Sequence, residues 1–131
     1  MPAKIRPFLM FEGRAEEAMK FYVSLFPGSE VTKVVRYGAG EPGAQGSIKM
    51  AEFTVCGQTL MCIDSPMKHK FSFTPSFSLF VTCESEDEIR RVFAVLSEDG
   101  AILMPLSNYG FSKLFGWTND RFGVSWQLNL A

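Results

Sequence analysis

The closing stretch GWTNDRFGVSWQLNL, residues 116–130, carries side chains with a clear potential for chemistry. Its pattern predicts two short strands joined by a polar turn over residues 119–123. Asp120 and Arg121 in that turn are candidate catalytic residues that could orient a polar substrate or move a proton. Asn and Asp at such turns also commonly hydrogen-bond their own backbone. Gln127 takes the inward polar position of the last strand, where a metal-binding protein would carry Glu or His.

The nucleophiles and metal ligands of the chain are few and scattered. Cys56, Cys62 and Cys83 are widely spaced without a C-x-x-C pair, which argues against a disulfide scaffold or zinc knuckle and favours the cytoplasm. Cys62 has no neighbouring base to ionise it, so it is predicted to be a buried apolar residue. His69, the only histidine, lies in a loop without a His or Cys partner and is predicted to be solvated. No metal and no cofactor is expected.

A glycine-rich loop, Gly38 to Gly43, matches G-x-G-x-x-G and follows a predicted strand. A dinucleotide or methyl-donor site also needs a helix that opens at the third glycine. Pro42 and Gly46 disfavour that helix, and a strand resumes near Ser47. The pattern therefore predicts a long, mobile hairpin loop that contacts no nucleotide.

Composition limits the partners. The chain has 131 residues, 47% of them hydrophobic, with a net charge of −1, which suits one globular domain and gives no reason to expect nucleic acid. No apolar stretch is long enough to span a membrane. Thirteen phenylalanines require a thick core or an apolar pocket for a small-molecule ligand.

The elements that must position these residues follow from periodicity. Apolar stripes predict helices over residues 15–26 and 86–97, the second preceded by a capping box at Ser85. Runs of β-forming residues between turns predict eight strands, at 5–11, 30–37, 48–55, 59–63, 77–83, 101–105, 113–117 and 124–130.

The order of these elements is β-α-β-β-β, twice, with pseudo-repeats at about 1–65 and 72–131 in a single domain. A shift of 71 residues superposes FLMF at 8–11 on LFVT at 79–82, and a shift of 66 superposes the hairpin at Cys56 on that at Phe122. We therefore expect an α+β fold of two βαβββ modules that bury their apolar sheet faces.

Four stretches carry a resemblance to a known family: PFLMFEGRAEEAMKFYVSLFPGSEV, VCGQTLMCID, FSLFVTCESEDEIRRVFAVLSEDG and FGWTNDRFGVSWQL. The chain resembles the vicinal oxygen chelate superfamily of glyoxalases, bleomycin-resistance proteins and extradiol dioxygenases. Within it, the chain is similar to the PhnB-like branch labelled 3-demethylubiquinone-9 3-methyltransferase. The resemblance implies a cupped, mostly antiparallel eight-stranded sheet and a homodimer, and it implies no settled activity.

The resemblance also implies where a pocket would lie. Metal-binding relatives place four ligands at positions that match Pro7, Met61, Ser76 or Ser78, and Gln127. Because proline cannot ligate and a hydroxyl or amide holds a transition ion poorly, the metal site is predicted to be lost. An apolar cup with Gln127 as its directing polar group is expected instead. Its predicted lining is Pro7, Phe8, Met10, Met61, Ser76, Ser78, Trp117, Trp126 and Gln127.

Three functions remain open at this point. The cup could sequester an aromatic or hydrophobic compound, as bleomycin-resistance proteins do. The protein could instead be an enzyme, such as a lyase or isomerase, that uses a polar group like Asp120 on a small metabolite. The family label adds a methyltransferase, which predicts binding of S-adenosylmethionine.

Overall fold

A computed structural model describes residues 2–131 and divides the chain into two compact units, which meet in sequence at His69 and Lys70. Each unit has one helix and four strands in the order β-α-β-β-β. The predicted α+β class and the two βαβββ modules are confirmed. The boundary falls in the interval left between the two predicted pseudo-repeats.

The bounds of the elements are close to those predicted. The first unit consists of β1 (Phe8–Phe11), α1 (Ala15–Val23), β2 (Glu30–Arg36), β3 (Ile48–Val55) and β4 (Gln58–Asp64). The second consists of β5 (Ser78–Thr82), α2 (Glu86–Ser97), β6 (Ala101–Ser107), β7 (Leu114–Asn119) and β8 (Ser125–Leu130). The sheet orders are β1-β4-β3-β2 and β5-β8-β7-β6, with only the pairs β1–β4 and β5–β8 parallel. Neither helix in the described range is long and apolar enough to cross a membrane.

In the first unit, α1 covers one face of the sheet. Its stripe of Ala15, Ala18, Met19 and Tyr22 is buried, and the Tyr22 ring lies 6.2 Å from that of Phe53 on β3. The helix was predicted to reach residue 26, but it ends at Val23 because the chain tightens into a turn before Pro27. Pro27 disfavours helical geometry at the residue before it.

In the second unit, α2 has the bounds that the sequence predicts. Ile89, Val92, Phe93 and Leu96 are buried, which confirms the apolar stripe. A Cβ added at Gly116 of β7 would lie 2.4 Å from the Phe93 ring. Glycine at this position therefore allows the helix to approach the sheet closely.

The strand register corrects the predicted repeat by one residue. Met61 and Gln127 are equivalent by the shift of 66, and their partners in the parallel pairs are Phe8 and Phe80, which are 72 residues apart rather than 71. A one-residue slip exchanges the two faces of a strand. Phe80 therefore occupies the position that the sequence comparison gave to Leu79.

The glycine-rich loop connects β2 and β3, and no helix begins at Gly43. Tyr37 closes the loop through backbone hydrogen bonds with Ser47 and Gly46, and its hydroxyl donates to the carbonyl of Asp64. Glu41 accepts from the amide of Gly38 and pairs with Lys49. The loop is thus held by more side-chain contacts than its composition suggested.

Candidate functional site

The second sheet has a face opposite α2, here called the helix-free face. Strand alternation places Ser78 and Phe80 on it, together with Ser125 and Gln127 of β8 and Trp117 of β7. All four strands of this sheet, β5 to β8, lack ionisable side chains. Whatever binds to this face therefore meets dipoles and rings but no formal charge from the sheet.

Gln127 lies between two aromatic residues in one row across the sheet. It is the register partner of Phe80 on β5 and of Trp117 on β7. The two aromatic positions are two strand spacings apart, roughly 10 Å. Phe80 is 59% exposed, while Trp117 and Gln127 are half-buried. The row therefore places an amide between two aromatic side chains on this face.

A chain of hydrogen bonds fixes the orientation of these side chains. Trp117 Nε1 donates to Ser125 Oγ at 2.8 Å, and Ser125 Oγ lies 2.7 Å from Ser78 Oγ. Gln127 Nε2 donates to Ser78 Oγ at 3.2 Å. Among residues 2–131, no group donates to Gln127 Oε1, so this oxygen is an acceptor that the face presents. In this orientation of the amide, its nitrogen donates into the network.

Three more aromatic rings form a cluster with that of Phe80. The rings of Phe80 and Phe115 are 6.4 Å apart, and Phe111 meets Phe115 edge-on at 5.1 Å. Tyr109 also meets Phe115 edge-on, at 6.2 Å, and its hydroxyl donates to the carbonyl of Pro105. Edge-on contacts of this kind stabilise aromatic pairs beyond their buried area.

Of the two serines predicted for the pocket, the structure brings only Ser78 into this network. Ser76 precedes β5 in an exposed turn, where its hydroxyl lies 2.7 Å from that of Thr74. Three predicted residues, Ser78, Trp117 and Gln127, are thus joined on one face. Phe80 and Ser125 were missed, although alternation from Gln127 and Ser78 would have identified them.

Trp126 lies on the other side of β8. It is 1% exposed, and its Nε1 donates to Asp120 Oδ2 at 2.9 Å. Because neighbouring residues of a strand point to opposite faces, Trp126 cannot line the helix-free face with Gln127. Its predicted place in the pocket is corrected here to a place in the core of its unit.

Asp120 is 3% exposed and holds the turn between β7 and β8. Its Oδ1 accepts from the amides of Phe122 and Val124, at 2.8 and 3.0 Å, and its Oδ2 accepts from Trp126. These three bonds give Asp120 a structural role. Arg121 follows it in the turn and is half-buried. A catalytic role for either residue stays a prediction.

The first unit places its own predicted residues together. Phe8 is the register partner of Met61, and the Met61 amide donates to the carbonyl of Pro7 at 2.9 Å. Phe8, Met10 and Met61 share the face opposite α1 by alternation. Pro7, Met10 and Met61 are half-buried, and Phe8 is exposed.

A carboxylate that the sequence analysis did not single out lies beside them. Glu52 of β3 is the register partner of Met61 and forms a 4.0 Å ion pair with Arg6. Only the strand pairing reveals its position. At that distance, and with both side chains partly exposed, the pair contributes little to stability.

The remaining candidates have structural surroundings. Cys62 is buried, and this burial, with a smaller effect of the Asp64 charge, raises the pKa of its thiol to about 12. The thiol is therefore protonated near neutral pH, as the sequence predicts. His69 is half-buried rather than solvated, and its Nε2 lies 2.7 Å from Ser65 Oγ.

Comparison with known proteins identifies the family. Residues 3–129 match a family described as 3-demethylubiquinone-9 3-methyltransferase, which is PhnB-like. The chain belongs to this family. A solved PhnB protein from Bacillus cereus, a putative 3-demethylubiquinone-9 3-methyltransferase, is 60% identical, with a TM-score of 0.95 over 98% of this chain and 100% of that one.

Two further proteins place the PhnB-like chain among its relatives. Protein YjdN of Escherichia coli is 26% identical over 97% of this chain and 95% of its own length. A fosfomycin resistance protein, FosX, from Listeria monocytogenes shares the fold, with a TM-score of 0.64 over 98% of this chain and 93% of that one at 10% identity. This likeness confirms the fold that the resemblance implies, and kinship with the vicinal oxygen chelate superfamily stays a prediction.

The residues at the positions predicted for metal ligands do not form a donor set that fits a transition ion. FosX was solved with Mn(II). The predicted ligand positions here offer a proline ring, a thioether, a hydroxyl and an amide. They include neither the carboxylates that suit Mn(II) nor the imidazoles that suit zinc, iron or nickel. Within residues 2–131, no three His, Cys, Asp or Glu side chains lie close enough to share an ion.

Proposed function

We propose that this PhnB-like protein binds a small, uncharged, largely apolar molecule in a metal-independent pocket that includes the helix-free face of the second sheet. The observation that carries the proposal is the row Phe80–Gln127–Trp117 with its fixed amide. Ligand pockets are typically apolar surfaces with a few oriented polar groups. For the first-unit residues Pro7, Phe8, Met10 and Met61, a role in ligand binding stays a prediction.

Sequestration is the activity that this face supports best. Acid–base catalysis needs a titratable group within hydrogen-bonding reach of the substrate. The strands of the second sheet carry none, and Asp120 is engaged by three donors. The methyltransferase label gains no support from Gly38–Gly43, because the loop leads into a strand and opens no helix.

A thermal-shift screen of uncharged bicyclic aromatic compounds tests this proposal. A ligand that binds only the native state raises the melting temperature in proportion to RT ln(1 + [L]/Kd). We expect hits that stabilise the wild type and that stabilise the Gln127→Leu variant less. Gln58→Leu, which removes an exposed amide from the β3–β4 hairpin, is the matched control and should respond like the wild type.

Two results would contradict the proposal. One is a screen in which only charged compounds stabilise the protein. The other is equal stabilisation of the wild type and the Gln127→Leu variant by every hit. S-adenosylmethionine belongs in the same screen, and its saturable binding would favour the methyltransferase instead.

We also propose a cytoplasmic homodimer. Three free cysteines are compatible with a reducing compartment. The edge strands expose apolar side chains, with Val34 of β2 39% and Ile102 of β6 52% exposed, and such residues often mark an interface. Sedimentation at micromolar concentration should show a species of twice the 14.7 kDa chain mass, and a monomer alone would exclude the dimer.

A further inference from the structure

In the hydrogen-bond network on the helix-free face, the two serine hydroxyls carry one more proton than the bonds within the network use. Trp117 Nε1 donates into it at Ser125, and Gln127 Nε2 donates into it at Ser78. Only one bond joins the two hydroxyls, and one proton suffices for it. Since each serine hydroxyl carries one proton, one O–H is left to donate outside this network.

The burial of the two serines indicates which hydroxyl this is. Ser125 is 1% exposed, whereas Ser78 is half-buried on the edge strand β5. A buried hydroxyl without an acceptor is costly. Among the described residues, Ser125 Oγ lies within hydrogen-bonding distance of no acceptor other than Ser78 Oγ, although its register partner Asn119 carries a buried Oδ1 without a partner. The favoured arrangement therefore has Ser125 donate to Ser78, which leaves the Ser78 proton for a ligand.

Resting on the proposed function, we propose that Ser78 Oγ–H and Gln127 Oε1 form a donor–acceptor pair that selects a planar ligand with a carbonyl next to an N–H. A lactam fused to an aromatic ring has this pattern. Its carbonyl accepts from Ser78, its N–H donates to Gln127, and its ring lies against Phe80 and Trp117. No covalent bond is made or broken when such a ligand binds.

The absence of charge from the sheet makes this selection stronger. A site with only dipoles and rings offers no formal counter-charge to an ionic ligand, which would have to give up its hydration. The two hydrogen bonds therefore decide among ligands of similar shape. A ligand that lacks the N–H leaves Gln127 Oε1 facing an apolar group, and an unpaired buried acceptor is penalised.

Two probes that differ only at the N–H test the inference: quinolin-2(1H)-one and its N-methyl derivative. Their dissociation constants for the full-length protein can be measured by calorimetry. We expect quinolin-2(1H)-one to bind about tenfold more tightly, because the methyl group removes the donor to Gln127.

Variants of Gln127 and Ser78 separate the contributions of the two side chains to probe binding. Gln127→Leu should bring the ratio of the two dissociation constants close to one, while Gln58→Leu should leave it unchanged. Ser78→Ala should weaken both probes several-fold, since both carry the carbonyl that Ser78 would donate to.

The outcomes separate this inference from the proposed function. Equal binding of both probes, or tighter binding of the N-methyl probe, would overturn the inference alone, and the latter would mean that the amide nitrogen of Gln127 faces outward. A ratio that survives Gln127→Leu would also overturn it. If neither probe binds and uncharged aromatic compounds fail in the thermal-shift screen as well, the proposed function falls with it.

Discussion

The two units share one topology and differ in where they keep their charges. The first sheet carries ionisable residues on three of its four strands, among them Lys33, Glu52 and Asp64, whereas the second sheet carries none. Both nevertheless use the same strand order and the same parallel pairing of first and last strands. The topology therefore depends on the apolar pattern, and the polar residues remain available for other roles.

The helix N-termini show this difference in detail. In the second unit, Ser85 Oγ accepts from the amide of Glu88, and the Glu88 carboxylate accepts from the amide of Glu84, one residue before the N-cap. This is a local cap closely similar to a capping box. In the first unit, Arg14 offers no side-chain cap. Asp64, from the end of β4, accepts from the amides of Gly13 and Ala15 instead.

Asp64 also joins the cap to the sheet. Its Oδ2 accepts from the amide of Ile48, where β3 begins, at 3.0 Å. The equivalent position in β8, 66 residues later, is the buried Leu130. One unit thus caps its helix through tertiary structure, and the other caps it through local sequence.

Replacing Asp64 with Asn should have the largest effect on stability. The residue is 3% exposed and accepts three backbone amides, and an Asn amide would oppose at least one of them with its own donor. We expect a loss of about 3 kcal/mol in the free energy of unfolding, measured in urea. Asp99→Asn is the control, because Asp99 is exposed with a positive φ that Asn tolerates. A loss below about 1 kcal/mol for Asp64→Asn would remove the tertiary cap from the account.

Replacing Asp120 with Asn should have a smaller effect and lower the free energy of unfolding by about 2 kcal/mol. Asn can keep the two backbone bonds of Oδ1, but its amide would face the Trp126 indole N–H. Urea unfolding followed by tryptophan fluorescence measures this loss. Ligand binding by the folded variant should persist, whereas loss of a turnover with binding intact would restore the catalytic role.

Removing the local cap with Ser85→Ala should lower the free energy of unfolding by about 1 kcal/mol. The converse change, Arg14→Ser, should alter the unfolding free energy by no more than about 0.5 kcal/mol, because Asp64 already caps that helix. Equilibrium unfolding of both variants measures the asymmetry. Equal effects at the two positions would contradict it.

The smallest effect concerns the surface pair Glu16–Arg36. The hydrogen bond from Arg36 lowers the pKa of Glu16 from 4.5 to about 2. A lowered folded-state pKa contributes stability above the unfolded value, and this contribution is lost as the pH falls from about 4.5 towards 2. Since the pair is partly exposed, Glu16→Gln should lower the free energy of unfolding by less than about 0.5 kcal/mol at pH 7 and by only a small fraction of that at pH 2. If the loss of unfolding free energy in Glu16→Gln grew as the pH fell, this would contradict the stabilising role of the Glu16–Arg36 pair.

The sequence predicted what depends on local pattern. The α2 bounds, the Ser85 cap and the eight strands follow from periodicity and turn residues. The role of Asp64 could not be predicted, because its partners are 16 to 51 residues away in sequence. The end of α1 was misplaced because the apolar stripe continues through a turn before Pro27.

The candidate site shows the same division. Gln127, Ser78 and Trp117 were expected from residue type and resemblance, and the register brings them together. Phe80 was missed, although it lies two residues from Ser78 on β5 and therefore shares its face. Trp126 was misplaced because the prediction put it on the same face as Gln127, its neighbour in β8, against the alternation of a strand.

The central claim is that the helix-free face of the second sheet binds the ligand. Two-dimensional nitrogen–proton spectra during titration with quinolin-2(1H)-one test it most directly, since the chain has only two indole N–H groups. We predict saturable shifts of the Gln127 side-chain amide and the Trp117 indole, which lie on that face, while the Trp126 indole bonded to Asp120 stays nearly unchanged. Saturable shifts that leave Gln127 and Trp117 unaffected would contradict the claim.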